Sequence, residues 1–356
     1  MRIGIYDPYL DTLGGGEKYM LYIAKFLAEK NEVVFFWNDK TIFGQAESKF
    51  GIDLSKVKVK SNIFSKDTPI YKRLFESRKY DAIVYLSDGS IPFLFSRKLY
   101  LHFQFPTEWV SVESQKNKFK LTKVTDYICN SEFTKKYIDK KYGIKSKVLY
   151  PPVDVRFDKK IKKENIILHV GRFSGNNIEG DDYKKQSVMI EVFKSMINEG
   201  LAGWRFVIVA SLKEDQQLRF EKLREQSEGY PIELVVNPDS KKIWENYSKA
   251  KIYWHATGFG EDIVSHPELV EHFGISTCEA MGAYCVPVVI NTGGQKEIVV
   301  DGKNGYLWDD LEELKRKTLS LTRNSKKREK FAVLASRSVK KFGVERFAKE
   351  LKQIVR

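Results

Sequence analysis

The 356-residue chain is long enough for about two domains and for hydrophobic cores that need neither disulfides nor metals. Hydrophobic residues make up 42% and charged residues 30%, which is typical of a globular protein and argues against a mainly disordered one. The net charge of +14 favours anionic partners such as nucleic acid, phosphate-bearing substrates or an anionic membrane surface, and it does not choose among them.

Three kinds of sequence pattern, those of membrane spans, signal peptides and cysteine-rich sites, restrict the class of protein further. No apolar run approaches the roughly 18 residues that cross a bilayer. Residues 1–6 predict a strand and lack the long apolar region of a signal peptide. Three cysteines without CxxC spacing argue against a disulfide framework and a structural zinc site. The sequence therefore predicts a soluble, reduced, cytoplasmic protein.

Short β-rich runs alternate with amphipathic helical patterns in the first half of the chain. Such alternation predicts parallel βαβ units. Met20, Ile23 and Leu27 recur at helical spacing, and Ser131 suits the N-cap of a lysine-rich helix. The predicted strands are 2–6, 32–37, 81–86, 98–103 and 125–129, and the predicted helices are 15–30 and 131–142.

The alternation then restarts after a segment that contains Pro151-Pro152 and a lysine-rich stretch, which suits a linker near 151–164. The sequence thus predicts two doubly wound α/β domains, 1–155 and 156–342. The later predicted strands are 165–170, 205–210, 232–236, 252–256 and 285–290. The later predicted helices are 184–199, 214–228, 240–249, 276–283, 310–322, 325–341 and 343–355.

Ligands of open parallel sheets bind beyond the carboxyl ends of the strands, so loops that follow strands are the candidate sites. Gly14-Gly15-Gly16 follows the first strand and opens a helix, where bare backbone amides suit a phosphate or form an ordinary turn. Arg172 ends a strand, and Lys184 and Lys185 open the next helix. Together these cations can clamp a diphosphate, or they are solvated surface charges.

A second glycine-containing loop carries two carboxylates. Gly274 favours a helix that begins near Ser276, with Glu271 on the preceding loop and Glu279 one turn into the helix. Carboxylates placed in this way can accept hydrogen bonds from sugar or ribose hydroxyls. The segment 291–297 is a further glycine-rich turn between a strand and a helix.

Six segments in this order resemble glycosyltransferase family four, the retaining nucleotide-sugar transferases of GT-B type with two Rossmann-like domains that face a cleft. The EHFGI motif at 271–275 is similar to that of mannosyltransferases that extend lipid-linked oligosaccharides. The segments are GGGE at 14–17, CNSEFTKKYI at 129–138, YPPVD at 150–154, VGRF at 170–173, EHFGISTCEAM at 271–281 and NTGGQKEIVVDGKNGYL at 291–307.

The resemblance implies a role for each candidate residue of the donor site. Glu279 would hold the ribose hydroxyls of the nucleotide, and Glu271 would bind hydroxyls of the donor sugar. Arg172 and Lys184 would neutralise the diphosphate leaving group, where fixed cations stabilise the charge that develops. The backbone amides of Phe273, Gly274 and Ile275 would contact the sugar and phosphates.

The resemblance also implies features of the first domain and of the reaction. Gly15 and Gly16 would approach the diphosphate, and His102 would lie near the reacting sugar. The 343–356 helix would cross back to the N-terminal domain. The implied reaction moves a hexose, mannose or glucose, with retention to a lipid-linked or glycan acceptor, and it needs no bound metal or cofactor beyond the nucleotide-sugar co-substrate.

Lysines and aromatic residues of the first domain predict a surface that faces the acceptor. Residues 115–147 hold ten lysines, with Trp109, Val110 and Phe119 just before or among them. A basic surface with aromatic residues at its edge suits an anionic membrane, although a solvated lysine-rich face has the same composition. We therefore expect a cytoplasmic enzyme that can dock through 109–147 on the inner membrane face.

Two alternatives remain open on the sequence. One is another enzyme of the same fold, such as a sugar-nucleotide epimerase or a phosphorylase. The other is a basic nucleic-acid-binding protein, which the net charge of +14 favours and the scattered basic residues disfavour. The absence of GxGxxG argues against a nicotinamide enzyme.

Overall fold

In the computed structural model, the chain divides into two compact units. The first unit is Met1–Pro152 together with Val344–Arg356, and the second is Val153–Gly343. The structure describes residues 1–107, 112, 114–173, 182–213 and 216–356. The sequence placed the boundary between 155 and 156, and the structure places it between 152 and 153.

The first unit contains a parallel sheet whose central strands are apolar on both faces. Continuous runs such as the buried Ala82–Leu86 are typical of strands covered by helices on both sides. The strands are β1 (Arg2–Tyr6), β2 (Glu32–Phe36), β3 (Val57–Lys60), β4 (Ala82–Leu86), β5 (Lys98–Phe103), β6 (Asp126–Cys129) and β7 (Lys147–Val148). Their order, β3-β2-β1-β4-β5-β6-β7, reverses direction beside β1, which is the doubly wound pattern.

Helices of the first unit cover this sheet. They are α1 (Gly15–Leu27), α2 (Ile42–Phe50), α3 (Ile70–Ser77), α4 (Gln115–Leu121), α5 (Glu132–Tyr142) and α13 (Val344–Ile354). Ser131 caps α5 as predicted, because its Oγ accepts a hydrogen bond from the Thr134 amide at 3.0 Å. The structure therefore confirms both helices that the sequence predicted here.

The helix α13 returns to the first unit and packs on α1. The ring of Phe347 lies 5.3 Å from Tyr19 and 6.1 Å from Phe26, and Phe347 is buried in the same core as β1 and β2. Lys352 pairs with Glu29 at 2.7 Å near the end of α1. The chain end thus makes the first unit discontinuous in sequence, as the resemblance implied.

The second unit repeats the architecture with its own parallel sheet. The strands are β8 (Ile166–Arg172), β9 (Arg205–Ser211), β10 (Ile232–Val236), β11 (Ile252–His255), β12 (Val286–Ile290) and β13 (Tyr306–Trp308), in the order β10-β9-β8-β11-β12-β13. Its helices are α6 (Gln186–Asn198), α7 (Gln217–Ser227), α8 (Ser240–Lys249), α9 (Ile275–Gly282), α10 (Gln295–Ile298), α11 (Leu311–Arg323) and α12 (Ser325–Ser338).

Several short elements were not predicted, because their patterns are too short or too polar for a periodic signal. The helix α2 buries only Ile42 and Ala46, and α3 buries only Ser77. The strand β7 has two residues. These elements depend on tertiary contacts with the sheet rather than on their own sequence.

The segment 153–164 is not a linker, which corrects the prediction. Val153 forms a parallel bridge to Gly343, and its amide donates to the Phe342 carbonyl at 2.9 Å. The Lys163 ammonium donates to the carbonyls of Ala250 at 2.6 Å and Ala283 at 2.5 Å. A cation at these carbonyls complements the carboxyl ends of α8 and α9, so the segment stabilises the second unit.

Candidate active site

The carboxylate of Glu271 is the centre of a charged network in the second unit. Its Oε2 atom accepts from the Lys184 ammonium at 2.8 Å and lies 3.0 Å from Nε2 of His255. Because an ionised carboxylate cannot donate, Nε2 of the neutral imidazole carries the proton. Burial opposes ionisation of Glu271, but Lys184 and His255 outweigh it and hold the pKa of Glu271 well below its usual range.

His255 is buried at the end of β11, and the sequence analysis did not single it out. Burial lowers its pKa, so the ring is neutral at physiological pH. Thr257 Oγ1 lies 3.4 Å from Nε2. His169, on the neighbouring strand β8, places its ring 5.9 Å from His255, and burial lowers its pKa to about 3. The sequence signal that could have identified His255 is its position near the carboxyl end of the predicted strand 252–256.

Lys184 rather than Lys185 joins this network. The backbone of Gly171 lies against Lys184, because a Cβ at Gly171 would meet the Lys184 Cγ at 3.6 Å. Lys185 has a left-handed backbone with φ of 54° and pairs with Glu261 at 2.5 Å. The long 174–183 loop left the choice between the two lysines open, and residues 174–181 of that loop lie outside the described residues.

Arg172 is the last residue of β8, as predicted, and its backbone is tied to the start of α6. The Gln186 amide donates to the Arg172 carbonyl at 3.2 Å. Tyr183, beside Lys184, donates its hydroxyl to the Val270 carbonyl at 3.1 Å. Burial, and then the charge of Glu271, raises the pKa of Tyr183. The structure therefore gathers Tyr183, Lys184, His255 and Glu271 at the carboxyl edge of the second sheet.

Glu279 lies one turn into α9, which begins at Ile275, next to the predicted start. The Tyr247 hydroxyl donates to Oε2 of Glu279 at 3.2 Å, and burial and then this carboxylate raise the pKa of Tyr247 well above its usual range. Tyr253 of β11 contacts Ser276 Oγ at 2.8 Å. Two tyrosines that the sequence analysis did not identify thus fix the helix and its carboxylate.

Backbone-to-backbone packing explains why glycines flank the site. Gly274, with φ of 113°, precedes α9, and Phe273 is buried against Phe342. A Cβ on Gly293 would come within 2.2 Å of the Glu271 carbonyl, and a Cβ on Gly294 within 2.4 Å of the His272 carbonyl. The 291–294 turn is therefore in direct contact with the loop that carries Glu271.

Gly15 and Gly16 form the first turn of α1 in the first unit. The Glu17 carboxylate accepts from the Gly14 amide at 2.5 Å, which caps the helix. Gln104 donates to the Gly16 carbonyl at 3.0 Å, and a Cβ on Gly16 would clash with that side chain. The structure confirms the helix start, and the anion contacts of Gly15 and Gly16 stay a prediction.

His102 lies in the core of the first unit with no exposed surface. Its ring stacks on Tyr19 at 4.7 Å, and Nδ1 lies 3.2 Å from the Ile128 carbonyl. Burial lowers its pKa to about 3. In this structure the imidazole contacts core groups only, so its role beside the sugar stays a prediction.

Asp7 and Glu17 form a buried acidic pair that the sequence analysis did not single out. Asp7 directly follows β1, and its Oδ1 accepts from the Tyr9 amide at 2.8 Å. Burial, and then the charge of Glu17, raises the pKa of Asp7 well above its usual range.

The described residues contain no group of three or more His, Cys, Asp or Glu placed to hold a metal ion. No helix among them is long and apolar enough to cross a bilayer. Cys129, Cys278 and Cys285 are buried free thiols.

Solved structures share this architecture. A glycosyltransferase from Rickettsia africae superimposes with a TM-score of 0.76 at 16% identity, covering 100% of this chain and 98% of that one. Anabaena HepE, solved with UDP and glucose, superimposes with a TM-score of 0.73 at 19% identity, covering 99% and 98%. The predicted α/β GT-B fold class is confirmed.

The chain belongs to the family described as Glycosyl transferases group 1, whose model matches residues 154–336. This match covers about half of the chain and lies within the second unit. The prediction that the chain is a nucleotide-sugar-dependent glycosyltransferase is thereby confirmed.

Among curated proteins, a GDP-Man:Man(3)GlcNAc(2)-PP-Dol alpha-1,2-mannosyltransferase from Dictyostelium discoideum is 22% identical over 88% of this chain and 76% of its own length. The alignment with the human protein of the same name is 26% identical but spans only 43% of that protein. The chain therefore matches less than half of the human relative.

Proposed function

We propose that this enzyme transfers a hexose from a nucleoside-diphosphate sugar to a lipid-linked or glycan acceptor, with retention of configuration. The observation that carries the proposal is the Lys184–Glu271–His255 network beside Arg172. It combines a fixed carboxylate that can accept sugar hydroxyls with cations that can neutralise a diphosphate.

Charge on the leaving group decides the roles of the cations. As the glycosidic bond breaks, negative charge builds on the diphosphate, and Arg172 and Lys184 stabilise it. In the free enzyme Lys184 is already held by Glu271, so it needs little reorganisation when the donor binds. Glu271, in turn, is positioned by His255 and orients the donor sugar.

The helix α9 supplies the nucleotide end of the proposed site. Glu279 accepts hydrogen bonds from the ribose hydroxyls and is positioned by Tyr247. The backbone amides of Phe273, Gly274 and Ile275 precede or open the helix, where N–H groups favour an anion. Gly15 and Gly16 offer the same kind of helix terminus in the first unit. No metal or cofactor is part of the proposal.

The identity of the sugar and the acceptor is the finer part of the proposal. The curated relatives named as GDP-mannose enzymes, and the EHFGI segment at 271–275, favour mannose and a lipid-linked glycan. The solved complex of HepE with UDP and glucose supports glucose as the alternative.

A calorimetric panel of GDP, UDP and ADP with their sugars tests the proposal. We expect tight binding of one nucleotide series, about tenfold or more weaker in Glu279→Ala because a charge-assisted hydrogen bond is lost. Arg172→Ala should instead lower mainly turnover. Glu225→Ala, an exposed carboxylate on α7, is the matched control and should bind as the parent does.

GDP-mannose preference would support the mannosyltransferase and direct the acceptor search to lipid-linked glycans. UDP preference would redirect it to glucosyl transfer. Full activity in both Glu279→Ala and Arg172→Ala would contradict the site assignment, and a change of the sugar without any acceptor would indicate an epimerase.

A further inference from the structure

Exposed aromatic and aliphatic side chains are concentrated on one helix of the first unit. Ile70, Tyr71 and Phe75 of α3 are 67%, 64% and 64% exposed. Such exposure leaves large apolar surfaces in water, while the polar Ser77 is the buried residue of this helix. An apolar helix face turned to solvent indicates a docking surface rather than a core element.

Two further exposed aromatic residues extend this surface. Phe95 is 47% exposed and Phe119 of α4 is 54% exposed. The ring of Phe93 lies 5.8 Å from Phe95 and 5.9 Å from Phe119, so it joins them. The Phe95 amide donates to Ser77 Oγ at 2.9 Å, which ties the 91–95 segment to the end of α3.

We call Ile70, Tyr71, Phe75, Phe95 and Phe119, with the basic residues around them, the aromatic–lysine face. The segments 66–79 and 115–123 hold nine lysines and arginines against two acidic residues. Burial, and then the neighbouring charges of Lys116 and Arg73, lowers the pKa of Lys120. The Lys123 ammonium lies 5.3 Å from the centre of the exposed Phe119 ring, and the Lys120 ammonium donates to the Ile91 carbonyl at 2.7 Å, so basic groups lie beside the aromatic residues of this face.

The basic charge of the aromatic–lysine face distinguishes among three possible partners: a second copy of the chain, single-stranded nucleic acid and an anionic bilayer. A second copy docked through the same face would place like charges opposite one another, which is destabilising. Single-stranded nucleic acid needs a groove that follows its backbone, whereas this face is an exposed helix surface. An anionic bilayer accepts both features, because aromatic side chains enter the headgroup boundary while lysines pair with lipid phosphates.

We propose that the aromatic–lysine face docks the enzyme on a bilayer that contains anionic lipids. This deepens the proposed function, since a lipid-linked acceptor lies in such a bilayer. It also revises the predicted docking segment 109–147: Trp109 and Val110 lie outside the described residues, and α3 supplies most of the exposed apolar surface. Docking needs no donor, so it is measured independently of transfer.

Sedimentation with vesicles tests the proposal. The probe is phosphatidylcholine vesicles with and without phosphatidylglycerol, at low and high salt. We expect salt-sensitive binding only to the anionic vesicles. The double variant Tyr71→Ser with Phe75→Ser should weaken it about tenfold or more, because two aromatic side chains no longer insert. The matched control is Leu218→Ser with Val264→Ser, at exposed apolar positions of the second unit.

Charge reversal of lysines on the aromatic–lysine face tests the electrostatic contribution to vesicle binding. Lys118→Glu with Lys123→Glu should weaken binding more than about tenfold, since each basic residue near an anionic surface contributes about fivefold. Lys326→Glu with Lys330→Glu makes the same charge change on exposed positions of α12 and should bind as the parent does. All replaced side chains are exposed, so unchanged unfolding midpoints verify folding.

Three outcomes would overturn the proposal. The first is absence of binding to anionic vesicles by the parent enzyme. The second is an equal loss in the control variants of the second unit. The third is that the Tyr71→Ser, Phe75→Ser variant still binds vesicles as the parent does. In that case the same variant would instead lose salt-sensitive binding to an oligonucleotide or lose self-association. Loss of donor binding in the Glu279→Ala panel would count against the proposed function and leave this docking result unaffected.

Discussion

Glu271 is a mostly buried carboxylate that must be kept ionised. Removing one partner from such a group costs more than the pair itself contributes, since the remaining charge stays buried. Lys184 and His255 therefore act together on one oxygen. His255 contributes as a neutral donor whose orientation is fixed by burial in β11, and Lys184 contributes the charge.

A pair of single variants tests whether Lys184 or Lys185 belongs to the site. We expect Lys184→Met to lower turnover about a hundredfold or more, because a fixed cation at the leaving group is lost. Lys185→Met should change turnover less than tenfold, since its partner is Glu261. Steady-state kinetics with the preferred donor measure both. A larger loss in Lys185→Met would reverse the assignment.

At the scale of elements, the site depends on how closely the 291–294 turn approaches the loop before α9. The two chain segments touch through backbone atoms, so even one methyl group cannot enter without moving Glu271. The short α10 begins directly after this contact and fixes the position of the turn. Packing of this kind transmits strain to the site rather than absorbing it.

Gly294→Ala tests this contact. We expect it to cost about 2 to 3 kcal/mol of unfolding free energy through overpacking and to weaken donor binding. Gly302→Ala is the matched control, because Gly302 has φ of 70° and open space around a Cβ. It should cost about 1 kcal/mol from its backbone alone and leave donor binding intact. Thermal unfolding and calorimetry measure the two effects, and equal donor affinities in both variants would contradict this role.

For the whole molecule, histidines that stay neutral in the folded chain connect stability to pH. The pKa is lowered to about 3 for His102 and His169 and to about 4 for His272, in each case first by burial. Unfolded histidines titrate near 6.5. Between about pH 6.5 and 4 the unfolded chain therefore binds protons that the folded chain does not. The raised pKa of Asp7 acts in the opposite direction.

We expect unfolding at pH 5 to take up about two to three protons, so that stability falls by about 3 to 4 kcal/mol per pH unit near pH 5 and less steeply near pH 6.5. Calorimetric unfolding in buffers of different ionisation enthalpy counts the protons. His102→Asn or His169→Asn should each reduce the uptake by about one. An unfolding midpoint that does not change between pH 7 and 5 would contradict the prediction.

The sequence by itself determined the features that depend on local pattern. Apolar runs marked the central strands of both sheets, and the helical spacing of Met20, Ile23 and Leu27 marked α1. Motif order indicated the glycosyltransferase class, and glycine before Ser276 placed the start of α9 within one residue. Apart from the motif order, these signals are local, because strand and helix periodicity and turn chemistry act over a few residues.

Only the tertiary structure decided which residues meet. His255 and Tyr247 join Glu271 and Glu279 through neighbouring strands and helices, and no spacing in the sequence relates them. The pairing of Lys184 with Glu271, the burial of His102 and the attachment of 153–164 to the second unit were decided in the same way. Burial and partnership depend on contacts between distant segments, and for α3 the same contacts left its apolar side chains exposed to solvent.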